Sequence, residues 1–502
     1  MKNPLSLLLA AVLCLLVAAC AVDNTVPPGE QIVSGSGVVE FISPSSSQET
    51  RPPESPPAGD SSSGGSSSGS QSSSKSEPKP EPKPEQKPEQ KPEQKPEQKP
   101  EPKPEPKPEP KPEQKPEPEP KPNKPPTATA PGDEVRSVWI SYLELGSMLT
   151  GKSSSAYRAN LAKAFQTCAE FGLNTVVLQV RPFGDAIYPS RYFPQSYLFT
   201  GTEGHVGEAP FDALQIAVEE AHKQNLRIEA WLNPYRVRAK ATRGLSADNP
   251  ANAMLRTGDA VKMGEVITYN PASEAAQQLI VNGVAEIVQN YKVDGIHFDD
   301  YFYPTTSADF DAAQFSDYKA GGGSKSLAAW RRSNVTSLVR KVHDAIQTEN
   351  SAVLFGISPQ GNMSNNLNIQ YVDVEELLRQ QLIDYLCPQM YFGFQNTGCP
   401  YQSTIETFNR MAKGTGVRVY VGLATYKFNK QDSWAGDGKN EWIGTTDLIK
   451  RQVEAARGLT EYGGFVLYRY DSSFHPAVTY PGDSTAQAQA KTELQNLKKI
   501  LE

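Results

Sequence analysis

Eight short apolar runs, at 135–142, 175–180, 227–232, 295–299, 353–357, 385–391, 418–423 and 464–468, alternate with segments of helical periodicity. The helical segments fall at 156–171, 210–224, 273–291, 326–349, 372–381, 403–413, 445–457 and 485–501. Runs this short and this rich in β-branched and aromatic residues read as buried strands, and strands separated by helices pair in parallel. The alternation predicts an α/β fold: a (β/α)8 TIM barrel with enlarged loops spanning 134–502. A doubly wound open sheet is the alternative. No Gly-x-Gly-x-x-Gly follows the first run, which argues against a dinucleotide fold.

The residues before 134 cannot join that core. Residues 1–19 carry one lysine and then an apolar stretch, too short for a stable span, and read as a signal peptide. The ending Val17-Ala18-Ala19-Cys20 resembles the bacterial lipoprotein box, which implies cleavage before Cys20 and lipidation of that cysteine. Residues 20–130 read as a disordered tether, Ser/Gly-rich and then a repeat of Lys-Pro-Glu-Pro and Lys-Pro-Glu-Gln. Such sequence buries too little apolar surface to offset its ordering entropy, and frequent proline favours extended polyproline II. At about 3.1 Å per residue the Lys-Pro-Glu repeat reaches on the order of 140 Å. A lipid anchor behind a semi-stiff spacer places the folded part at the cell surface, on the outer face of the cell membrane, with an outer-membrane position as the alternative.

The net charge of −7 is mild and forms no basic stripe, which argues against nucleic acid as a partner. Of five cysteines, Cys168, Cys387 and Cys399 fall in the folded part, with no zinc spacing and no disulfide framework. Whether Cys387 and Cys399 pair is left open. The histidines are dispersed, so neither a metal nor another cofactor is expected. Oligomeric state is not legible.

In a parallel barrel the active site gathers at the C-terminal strand ends. The fourth run ends in Asp299 and Asp300, followed by Tyr301 and Tyr303. Paired carboxylates beside rings flat enough to cover a pyranose face are the equipment of a glycosidase. Alternation puts His297 and Asp299 on one face, and Glu229, Trp231 and Asn233 together on the inward face of the third strand. The other ends add Arg136 and Trp139; Arg181, Asp185 and Tyr188; Arg236; Gln360 and Asn362; Gln389 and Tyr391; and Tyr426 and Lys427. Amides and cations of this kind hydrogen-bond sugar hydroxyls.

The segments RSVWIS, NTVVLQVRPFGDAIYPS, EAWLNPYRV, YNPASE, VDGIHFDDYFYP, WRRSNV, GISP, PQMYF and GLATYKF, in that order from residue 136 to 428, resemble the bacterial glycosyl-hydrolase-like family ten of barrel proteins. The resemblance implies a secreted or lipid-anchored glycosidase, with peptidoglycan glycan strands as substrate. The fourth strand also resembles the nucleophile strand of α-amylase-type enzymes, with His297 in place of an arginine. It departs from the chitinase pattern, since Tyr301 stands where that pattern needs its glutamate. Carboxylate acid/base catalysis therefore has Asp299 as nucleophile or base. Glu229 is the first choice of acid, and Asp300 and Asp185 are alternatives. The competing reading is a barrel that binds wall glycan without cutting it.

Overall fold

The computed structural model describes residues 134–204, 209–240 and 244–502. The expected signal peptide, lipidated Cys20 and tether lie outside the described residues. Among the described residues there are eleven strands: β1 Val135–Ile140, β2 Thr175–Arg181, β3 Arg227–Leu232, β4 Arg236–Arg238, β5 Ala260–Met263, β6 Val266–Tyr269, β7 Gly295–Phe298, β8 Leu354–Ile357, β9 Tyr385–Leu386, β10 Arg418–Ala424 and β11 Tyr462–Tyr468. Eight of them close into a barrel in the order β1-β11-β10-β9-β8-β7-β3-β2, every pair parallel. Closure removes the open-sheet alternative. The strands coincide with the eight apolar runs, although β9 keeps only two paired residues. One addition was not expected: β4, β5 and β6 form a small antiparallel sheet in the connection after β3.

Alternation along the strands divides the apolar residues between two cores. Outward residues such as Ile140, Leu178, Ile228, Ile296, Ile357 and Leu423 pack beneath the surrounding helices. Inward residues Val135, Trp139, Val177, Trp231, Tyr385, Cys387, Tyr420 and Val466 fill the barrel lumen. Large side chains cross the lumen because inward glycines face them. A Cβ on Gly356 would stand 2.0 Å from the Tyr385 ring, and one on Gly422 would stand 2.8 Å from Trp139. Helix starts follow local capping chemistry: Ser153, Ser273 and Ser326 each accept a backbone N–H of the first turn.

Cys387 lies inside the lumen and Cys399 in the loop beyond β9, and all three described cysteines are free, so the two do not pair.

Candidate active site

Asp299 and Asp300 follow the last residue of β7 at the C-terminal mouth of the barrel, 3% and 1% exposed. Asp299 continues the inward face of β7. Its Oδ2 accepts the indole N–H of Trp231 at 3.0 Å and the side-chain amide of Asn233 at 2.6 Å. Asp300 would face outward on a regular strand, but pairing stops at Phe298 and the chain bends. Asp300 instead accepts from Gln389 Nε2 at 3.1 Å and from Gln370 Nε2 at 3.3 Å. Burial, and next the neighbouring Asp300 carboxylate, push the Asp299 carboxyl up, against Arg236 and the Trp231 N–H. Burial likewise pushes Asp300 up, against the two glutamine N–H groups. Two adjacent buried acids cannot both ionise cheaply, so the two carboxyls give up their protons in separate steps.

The donor sets favour ionising Asp299 first. An indole N–H only donates. Asn233 is fixed too, since its Oδ1 accepts from Gln179 Nε2 at 2.5 Å, and Gln179 Oε1 accepts the Tyr142 backbone N–H at 2.9 Å. Asp299 Oδ2 therefore faces two obligate donors, and its Oδ1 accepts the Tyr301 backbone N–H at 3.4 Å, so its surroundings favour the carboxylate. The carbonyl of Gln370 has no partner among the described residues, and its amide bonds nothing but Asp300. A half-turn of that amide lets it accept a proton from Asp300. Asp300 is thus the member able to hold the proton.

Rings and cations surround the pair. The guanidinium of Arg236 lies 4.1 Å from the centroid of Tyr301 and 4.6 Å from that of Phe183, and its Nε donates to the Pro182 carbonyl at 3.0 Å. Across the mouth Tyr391, Tyr426 and Tyr468 form a cluster with centroids 5.4–5.8 Å apart, and Trp139 meets Tyr468 at 5.7 Å. Lys427 pins this wall by donating to the Tyr391 carbonyl at 2.8 Å and to Asp432 at 2.7 Å. Just beyond, on the loop after β10, Trp434 is 90% exposed. That loop is fastened at both flanks, by Thr397 N–H to the Ala435 carbonyl and by Asn429 N–H to the Trp442 carbonyl.

Several expected site residues stand elsewhere, and each displacement has a physical reason. Glu229 faces the lumen, but it pairs with Gly295, four residues before Asp299. At about 3.3 Å per residue that is about 13 Å back along the strand direction from Asp299, well below the mouth. Trp231 and His297 occupy the intervening level. Glu229 is 2% exposed and accepts the hydroxyl of Tyr385. The same hydroxyl lies 2.7 Å from His297 Nδ1, while Trp139 donates its indole N–H to His297 Nε2 at 3.2 Å. The indole fixes the tautomer, so His297 carries its proton on Nδ1 and donates it to Tyr385. Burial pushes His297 down to about 3, so it stays neutral. Glu229 anchors this buried chain and does not reach the cleft.

Arg181 is displaced by a β-bulge. Gln179 pairs with Trp231, yet Arg181 pairs with Leu232, so Val180 is the extra residue and the arginine turns to the sheet–helix side. There it is fully buried, 4.5 Å from the centroid of Phe193, and burial lowers its proton affinity. Tyr188 packs in that layer against Tyr291. Arg136 is at the N-terminal end of the barrel, bonded to Glu134 and to the Leu501 carbonyl. Tyr303 is buried behind the mouth against Phe310, Tyr371 and Arg331. Asn362 caps the helix Met363–Asn368, and Gln360 is bonded to Asn365 and Asn366. Asp185 accepts the Tyr197 N–H at 2.9 Å and lines a side cleft with Tyr142, Phe183, Tyr197 and Glu203. The structure therefore brings together Asp299, Asp300, Trp231, Asn233, Gln389, Tyr301 and Arg236, and across the mouth Tyr391, Tyr426 and Lys427, while Trp139 lies below them in the lumen, bonded to His297. Sequence reasoning missed Gln179, Gln370, Tyr142, Tyr468 and Trp434. For Gln179 and Tyr468 a signal existed, since Gln179 shares the inward parity of β2 and Tyr468 ends the eighth apolar run.

Among the described residues no group of three or more His, Cys, Asp or Glu side chains is arranged to hold a metal. The model of the family described as "Glycosyl hydrolase-like 10" matches residues 134–436. Glycosyl hydrolase YngK of Bacillus subtilis is 32% identical over 347 residues, covering 65% of this chain and 67% of its own length. Glycosyl hydrolase DigH of Escherichia coli K12 is 30% identical over 383 residues, covering 69% of this chain and 86% of its own. Among solved structures, the glycoside hydrolase domain of PgaB from Bordetella bronchiseptica aligns with a TM-score of 0.48 at 14% identity, over 72% of this chain and 99% of that one.

Proposed function

Because the chain belongs to the glycosyl hydrolase-like 10 family, a family of glycan-acting hydrolase type, we propose that it is a glycoside hydrolase using Asp299 and Asp300 as its acid/base pair. One observation carries this reading: two adjacent buried carboxylates at the barrel mouth differ in their partners, Asp299 held by donors that cannot turn and Asp300 in part by the Gln370 amide, which can. Glycosidic cleavage needs one acid protonated and one carboxylate ionised in the same site. Asp299, matched to obligate donors, is the nucleophile or base. Asp300, with a partner able to accept its proton, is the acid that protonates the departing oxygen. Arg236 supplies positive charge beside both. Tyr301 and the Tyr391–Tyr426–Tyr468 wall offer ring faces to the sugar.

The substrate we infer is a cell-envelope polysaccharide, with peptidoglycan glycan strands first. A lipoprotein box at Cys20 and a long proline-rich spacer support this choice, because they suit an anchored domain reaching outward into a wall. The anchor on the outer face of the membrane belongs to the same proposal. Replacing Asp299 with Asn and assaying reducing-end release from purified glycan strands tests it. Retained turnover by a folded variant ends the assignment. Binding without turnover by the unaltered chain marks a glycan-holding barrel instead.

A further inference from the structure

Asp299 is reached from outside the first layer of the site by a chain of hydrogen bonds whose direction is fixed at its far end. The Tyr142 backbone N–H, which can only donate, meets Gln179 Oε1 at 2.9 Å. That orients Nε2 of Gln179 toward Asn233 Oδ1, 2.5 Å away. Asn233 then has only its NH2 left for Asp299 Oδ2, at 2.6 Å. Gln179 and Asn233 are both essentially fully buried, so water is not there to replace a lost partner. Neither amide can turn alone without setting N–H against N–H or oxygen against oxygen. Gln179 lies on β2, immediately before the bulge that sends Arg181 outward. The bulge leaves Gln179 as the last inward side chain of that strand. Asn233 occupies the equivalent end of β3.

We propose that Gln179 is a positioning residue that reads the orientation of the Tyr142 peptide and imposes it on Asn233, so that Asp299 always meets a donor and never a carbonyl. The idea rests on the acid/base role of Asp299 given above and goes beyond it, because Gln179 touches no reacting atom. The chain also couples the mouth to the segment after β1. Tyr142 opens the helix Tyr142–Leu149, and its ring lies 5.8 Å from the Arg236 guanidinium. A shift of that helix start would be transmitted as a turned amide at Asp299.

The test compares Gln179→Leu, Gln179→Glu, Asn233→Ala and the Gln179→Leu/Asn233→Ala double variant with the unaltered chain, on purified glycan strands across pH. In the glutamate variant the Tyr142 N–H is still accepted, but Asn233 must turn to donate to the new carboxylate and presents its carbonyl to Asp299. The leucine variant frees Asn233 without adding charge. The glutamate variant is expected to move the acidic limb of kcat/KM to higher pH by about one unit, for loss of a charge-assisted bond, and the leucine variant by less, since its Asn233 can still donate. The double variant is expected to move it no further than Asn233→Ala alone. A merely structural role lowers the plateau and leaves the limb in place. An unmoved limb in both single Gln179 variants, or additive shifts in the double variant, overturns the relay. Turnover retained by Asp299→Asn overturns the acid/base reading itself, so the two failures are told apart.

Discussion

The indole nitrogen of Trp231 lies 3.0 Å from Asp299 Oδ2, on the strand next to the one that carries the aspartate. An aromatic side chain expected from the sequence at the sugar-binding end of the third strand is here a donor to a carboxyl group. Replacing it with phenylalanine keeps most of the packing and removes the N–H. A hydrogen bond to a charged partner contributes about 1.5–3 kcal/mol. Trp231→Phe should therefore shift the acidic limb of the pH–rate profile upward by about one to two units. The sign follows from the ionised form losing a donor. A profile that keeps its limb would show that Trp231 only packs.

Asp299→Asn should lower kcat by about 10²–10⁴-fold, the range for loss of a positioned acid/base group. Its circular dichroism and urea midpoint should stay near those of the unaltered chain, since Asn is isosteric. Turnover within a few-fold of the original would mean that the chemistry lies elsewhere.

Glu229 distinguishes lumen from cleft. Burial raises its carboxyl from 4.5 to about 7, against the Tyr385 hydrogen bond. A folded-state value above the unfolded one means that the native state binds this proton more tightly between those limits. Its contribution is thus fully present below about pH 4.5 and is lost as pH rises through about 7. Glu229→Gln should remove that part of the pH dependence. Urea midpoints at pH 5 and pH 8 should show the variant gaining on the unaltered chain at the higher pH. The same variant should still turn over glycan. Loss of turnover with the fold intact would return Glu229 to the catalytic set.

Arg331 fastens the loop that leaves the aspartate pair. It is fully buried against Asp311, with Nε 3.0 Å from Oδ2, and it also donates to the carbonyls of Thr306 and Ser307. Arg331→Met leaves Asp311 buried without its cation, a loss of about 3–5 kcal/mol. Equilibrium urea denaturation should show this as a lower midpoint, and KM for glycan should rise as Tyr301 loses its fixed setting. An unchanged midpoint would mean that the pair is replaced by solvent.

Trp434 stands on a fastened loop at the mouth with its ring almost wholly in solvent. Stacking on a sugar of a long chain would cover it. Trp434→Ala should raise KM for polymeric glycan several-fold, by loss of about 1 kcal/mol or more of ring contact, while short oligosaccharides are cleaved as before. Equal effects on both substrates would remove the ring from chain recognition.

The apolar runs set the barrel in advance because strand–helix alternation leaves few ways to bury both faces of every strand. The pair Asp299–Asp300 was also visible, as polar residues ending an apolar run. Parity failed wherever a strand departed from regularity. Nothing in Gln179-Val180-Arg181 announces a bulge, so Arg181 was expected at the mouth with the other strand-end residues. Parity sent Asp300 outward because the end of pairing at Phe298 is a tertiary event. It could not rank heights within the lumen, so Glu229 and Asn233 looked equivalent although a tryptophan level separates the glutamate from the mouth.

Composition and periodicity alone determined that residues 134–502 build a parallel α/β fold and that acids gather at the end of one strand. Only the closed barrel decided which side chains share the mouth. Strand stagger and a single inserted residue set the depth and direction of each side chain, and neither leaves a mark on local sequence.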